Sequence, residues 1–417
     1  MSYNISTASN SLFCLSRSLN KAISFMRSEM LDFVVCDRDG IVENRHLIHA
    51  AVVDSTGKLL FSVGDPSRMT LSRSAAKPLQ ALAILETGAL EQFGFDDADL
   101  ALMCASHSSE DRHIDRARAM LSKVGVSEDD LRCGGHVALS DAVNRDWIEK
   151  KFIPNGISNN CSGKHAGMLA GAKALGVDFC DYHLPTHPMQ LKVKDVFGSI
   201  CGADPEFLKW GLDGCNLPAP AFPLTTLAKV YSLLAQATDS DERQCSSATE
   251  PKTQRIHYLS RIFHAMAAYP ELVGGEDRFC TELAKLSQGA LVGKLGADAC
   301  YGIAIKSSER TRQLGANGAV GIAVKVEDGN VSILYSAVVE ILEQLQIGTS
   351  GMPKALGHFH YPKLCNTAGV RTGHVSHQFR VQTPAENHCS KPPLGLFPST
   401  FRVRRTRTFS GGCNGIV

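Results

Sequence analysis

Strand-like apolar runs stand near both ends of the globular part of this 417-residue chain, and helical patterning fills the space between. Phe33-Val34-Val35-Cys36 is followed by His46 to Asp54 and Leu59 to Val63. The last two flank Ser55-Thr56-Gly57-Lys58, which reads as a hairpin turn. Cys300 to Ile305 and Ala319 to Val326 repeat the strand pattern, Glu327-Asp328-Gly329-Asn330 turns the chain, and Val331 to Leu345 reads as a strand passing into a helix. Between them, Gly167 to Leu175, Met189 to Ile200, Leu224 to Ala235, Ile256 to Ala268 and Phe279 to Leu286 have helical spacing. This order implies an α/β (α+β) fold: one antiparallel sheet built from N- and C-terminal strands, with a helical subdomain inserted between them.

The expected organisation is an arm over residues 1–30, a domain over 31–375 and a disordered tail over 376–417. Within the domain, sheet segments cover about 31–73 and 290–375, and the helical middle covers about 74–289. Asp239 to Thr253, polar and Ser-rich, reads as a surface insertion. The arm holds no acid before Glu29 and carries Arg17, Lys21 and Arg27. It reads as disordered, with a mitochondrial presequence as the alternative. With 43 Lys+Arg against 42 Asp+Glu, nothing favours nucleic acid or an acidic membrane surface as partner, and no apolar run approaches a membrane span. The fourteen cysteines are irregularly spaced and many lie in apolar stretches, as expected of core thiols in a reducing, cytoplasmic setting.

Arg73-Ser74-Ala75-Ala76-Lys77 opens an unusually apolar helix that continues Leu79-Gln80-Ala81-Leu82-Ala83-Ile84-Leu85. Residues three apart share a helix face, so Ser74 Oγ and Lys77 Nζ come within reach of one another. Pro78 fits the first turn, where its missing N–H has no intrahelical partner anyway. Burial disfavours an ammonium, and a neutral lysine beside a serine is a general base beside a nucleophile. Ser-x-x-Lys is a weak pattern by itself, and Ser18-Leu19-Asn20-Lys21 is a chance copy in a polar arm. The helix N-terminus behind Ser74 offers N–H groups to an oxyanion.

Asn159-Asn160-Cys161-Ser162-Gly163-Lys164-His165 leads into a small-residue helix and packs a thiol, an amine and an imidazole into five positions. Asp213-Gly214-Cys215-Asn216-Leu217-Pro218 is a tight polar turn. Gly293-Lys294-Leu295-Gly296 is no phosphate loop, because Leu stands where Ser or Thr would hold magnesium.

Taken together, Ser74-Ala75-Ala76-Lys77-Pro78, Cys104-Ala105-Ser106-His107, Arg132-Cys133-Gly134-Gly135-His136, the Cys161 turn and the Asp213 turn resemble, in this order, the L-asparaginase II family over about residues 31–375. The resemblance implies a fold similar to serine β-lactamases and glutaminases, and hydrolysis of L-asparagine to aspartate and ammonia through an acyl-enzyme. It makes Ser74 the nucleophile with Lys77 as base, and pairs Ser106 with Lys294 as a second couple. It further implies Zn2+ held by Cys161, Lys164 and Cys280, Asp213 on the substrate ammonium, Arg73 and His165 as substrate or supporting contacts, and a homodimer. A glutaminase, a β-lactam-acting enzyme or an inactive small-molecule-binding relative are the alternatives on the same scaffold.

Overall fold

The computed structural model describes residues 32–384, apart from 203, 205, 246–253 and 350. The expected arm, the end of the expected insertion and the tail beyond 384 lie outside the described residues. The main sheet consists of β1 (Phe33–Arg38), β2 (Ile41–Asp54), β3 (Leu59–Val63), β4 (Leu291–Gly296), β5 (Cys300–Ile305), β6 (Val320–Val326) and β7 (Val375–His377). Its order is β7-β1-β2-β6-β5-β4, with β3 also on β2, and every pairing is antiparallel. The 14-residue β2 is the spine: its first half pairs with β1, and its second half lies between β6 and β3.

Side chains along a strand alternate between faces, and here both faces are covered. Ala51, Val53, Ala304 and Ala323 join one core with Leu227, Ala228 and Tyr231 of α4 (Leu224–Cys245) and with α1 (Lys77–Leu85), α2 (Asp97–Met103), α3 (Ser162–Ala174) and α5 (Gln254–Ala268). Ala50, Val52, Tyr301, Ile303, Ile322 and Val324 join a second core with α6 (Phe279–Ser287) and α7 (Val331–Gln344). The α4 face is built of small residues because the helix lies almost on the strand backbone. A Cβ at Gly302 would meet the Tyr231 ring at 2.1 Å, and Tyr231 Oη donates to Ala75 O at 2.8 Å, beside the Ser74 turn. Gly302→Ala is therefore expected to cost about 1–3 kcal/mol through overpacking and to lower activity by shifting that turn, checked by thermal denaturation and ammonia release.

Three expectations need correction. Val331 to Gln344 is helical throughout, capped where Asn330 Oδ1 accepts from Ile333 N at 3.1 Å; burial against the sheet outweighs the β-branched composition. Asp239 to Cys245 continues α4 instead of starting a loop. Residues 376–384 are not tail: β7 pairs with β1, Phe379 is buried, and Gln382 bridges to Ser62. Among the described residues no helix is long and apolar enough to cross a membrane, and the cysteines whose side chains are described, Cys161, Cys215 and Cys280 among them, are free thiols.

Candidate active site

Ser74 lies in a single 3₁₀ turn, Arg73–Ala76, which feeds directly into α1 at Lys77. In such a turn residues i and i+3 eclipse, so the Ser-x-x-Lys spacing stacks Lys77 behind Ser74 more directly than an α-helix would. Arg73 takes a left-handed backbone, φ 49°, a strained choice for a residue with a Cβ. Ala75 N donates to Ser72 O at 3.0 Å and Lys77 N to Ser74 O, so these two N–H groups are already committed and do not form the expected oxyanion site.

Lys77 is fully buried, and its Nζ donates to Ala105 O and, at 3.1 Å, to Ser106 Oγ. Among the described residues no hydrogen bond joins it to Ser74 Oγ, which stands half-buried. Lys294 reaches the same hydroxyl from β4: its Nζ donates to Ser106 Oγ at 2.8 Å and to Leu295 O at 2.6 Å. One serine oxygen thus lies within hydrogen-bond distance of two buried lysine nitrogens. Burial, reinforced by the neighbouring charge of Lys77, pulls the Lys294 amine down to about 7.

Beside the turn, Arg73 Nε donates to Asp213 Oδ1 at 2.7 Å, and its Nη1 also holds Asp298. Burial alone would raise the Asp213 carboxyl, but Lys164 and Arg73 hold it below its ordinary value. His165, on α3, puts Nδ1 2.6 Å from Tyr182 Oη and leaves Nε2 buried without a hydrogen-bond partner. Burial, then Lys164, lowers this imidazole to about 3, so it is neutral at physiological pH.

The expected zinc ligands are not brought together as a set. Cys280 belongs to the second core, where its Sγ accepts from Tyr301 Oη at 3.3 Å. Cys161 and Cys215 belong to the first core, and Lys164 Nζ donates to Cys215 Sγ at 3.1 Å. The hydrogen bond from Cys161 draws the Cys215 thiol down to about 5, against burial and with help from Lys164. Burial opposes charge on Lys164, yet Cys161 and Cys215 push its ammonium upward in return. A thiolate, a second thiol and an amine in contact form a soft donor set that suits zinc once the amine gives up its proton. Cys215 therefore replaces Cys280 as the residue that fits the group.

The sequence profile described as L-asparaginase II matches residues 34–377. The chain belongs to the L-asparaginase II family. No curated protein matches the chain. Membership supports amidohydrolase chemistry of the asparaginase type. The matched span runs from Val34 in β1 to the last residue of β7, so it takes in the short edge strand of this L-asparaginase II domain. It also encloses every site residue named above.

Proposed function

We propose that this L-asparaginase II family protein hydrolyses the side-chain amide of L-asparagine, with Ser74 as nucleophile. The observation that carries the reading is the Lys77–Ser106–Lys294 chain of hydrogen bonds lying behind the half-buried Ser74 turn. As Ser74 Oγ bonds to the amide carbon, Lys77 gives a proton through the Ser106 hydroxyl to the neutral amine of Lys294, held near 7, and takes up the Ser74 proton in its place. The relay then runs backwards: the leaving nitrogen takes a proton from Lys77, the C–N bond breaks and ammonia departs. Water attacks the acyl-enzyme with the same lysines accepting its proton, releasing aspartate and restoring Ser74.

Asp213, ionised and aligned by Arg73, is suited to the substrate ammonium, and Arg73 to its carboxylate. The unpartnered Nε2 of neutral His165 offers a further polar contact. Zinc held by Cys161, Lys164 and Cys215 would supply a fixed positive charge that acts as a Lewis acid at the pocket wall.

Ammonia release from L-asparagine and L-glutamine, together with nitrocefin hydrolysis, tests the reading. Asparagine is expected to be turned over with the highest kcat/KM. Faster glutamine or nitrocefin turnover would make this a different serine-lysine hydrolase, and no turnover of any would leave a binding protein.

A further inference from the structure

Away from the lysines, three side chains converge where the C-terminal segment docks on α7. Glu340 comes from α7, His360 from the end of α8 (Gly357–His360), and His377 from the end of β7. Glu340 Oε2 is 2.8 Å from His360 Nε2 and 3.3 Å from His377 Nδ1. One ligand atom from each of the three lies within 4.8 Å of the others. The imidazole side chains are only 3% and 4% exposed.

Hydrogens are short at this junction. Ser336 Oγ donates its single hydrogen to His360 O, so its contact with His377 Nε2, at 2.8 Å, is one in which the ring donates. A neutral His377 then turns a bare Nδ1 lone pair toward the Glu340 carboxylate. His360 has the same difficulty, with Glu340 at Nε2 and Glu343 Oε2 3.4 Å from Nδ1. A neutral ring has one N–H for two carboxylates. The two imidazole centroids are 4.9 Å apart, and Glu340 Oε2 lies within 3.3 Å of a nitrogen of each ring. A cation between the three groups resolves both contacts at once.

We propose that Glu340, His360 and His377 form a binding site for a divalent transition metal, zinc in the first place, that fastens β7 and α8 to α7. Two imidazole nitrogens and a carboxylate oxygen form a common zinc donor set, with water as the fourth ligand. Tetrahedral zinc spaces its ligands by roughly 3.3 Å, so the Glu340–His377 separation already fits and the Glu340–His360 pair needs to open by about half an ångström. The outer contacts are those of a metal site. The far nitrogens of both rings meet Glu343 and Ser336, and Glu340 Oε1 accepts from Gln344 Nε2 at 2.7 Å. β7 has only three residues, so a metal clamp would hold an edge strand that pairing alone holds weakly.

Cobalt is the probe, because its spectrum separates this site from the thiolate cluster. The full chain, purified without a histidine tag and stripped by chelator, carries Cys215→Ser in every arm. This background is expected to bind one equivalent of Co2+ with visible d–d bands and no near-ultraviolet thiolate charge-transfer band, and Zn2+ is expected to raise its Tm. Glu340→Gln and His377→Gln, each added to that background, are expected to lose the equivalent, the bands and the Tm rise while keeping the far-ultraviolet circular dichroism of the parent. Absence of d–d bands in the Cys215→Ser parent, or their persistence in Glu340→Gln, would overturn the proposal. Because Glu340→Gln preserves shape, it decides the matter if a histidine variant misfolds.

Discussion

Ser74→Ala is expected to lower kcat on L-asparagine by about 10⁴-fold or more, the scale on which loss of an activated nucleophile usually falls, while leaving Tm unchanged. Ser74 Oγ makes no hydrogen bond among the described residues, so its removal strands no partner. Ser106→Ala should behave differently. It leaves Lys77 Nζ and Lys294 Nζ without their shared acceptor, which should cost about 1–3 kcal/mol of stability and about 10²–10⁴-fold in rate through the broken relay. The double variant should be no slower than Ser74→Ala alone, because both residues serve one step. Acid quench during turnover followed by peptide mass mapping locates the acyl group. Label on the Ser106 peptide, with Ser74→Ala still active, would reverse the roles assigned here.

The antiparallel sheet and its helical insertion are legible in the sequence because alternation and apolar runs are local signals. The Ser-x-x-Lys spacing is legible for the same reason, although the turn is 3₁₀. What escapes is set by distant partners. Cys280 and Cys215 both stand in motif-like surroundings, and only the fold places Cys215 against Lys164, 51 positions away, and Cys280 against Tyr301 in the other core. Val331–Gln344 is rich in Val and Ile, and its helical state follows from the Asn330 cap and from burial on the sheet. Glu340, His360 and His377 have no common spacing at all. They meet because residues 375–377 pair with β1, a contact made by three residues that carry no apolar period.

Asparagine turnover is expected to rise with pH through a single ionisation near 7, and Lys294→Met is expected to abolish that limb along with most of the rate. The relay needs an unprotonated Lys294 to receive charge, and burial together with Lys77 sets this amine at about 7 in the folded chain, against about 10.4 for an unperturbed lysine. The same difference has a stability consequence of defined sign. Between these two values the unfolded chain keeps its Lys294 proton and the folded chain does not, so the unfolded state binds more protons and stability rises with pH. For one group the slope reaches at most about 1.4 kcal/mol per pH unit. Below pH 7 both states are protonated, the slope from this group vanishes, and the folded state carries a buried ammonium beside Lys77. Lys294→Met removes that charge, so its urea midpoint should exceed that of the wild type at pH 6, with the gap narrowing toward pH 10. A wild type whose activity is flat from pH 6 to 9 would show that no ionisation near 7 governs turnover, and a variant whose midpoint tracks the wild type across the range would show that Lys294 does not lose its proton in the folded chain and would remove the acceptor on which the proton relay depends.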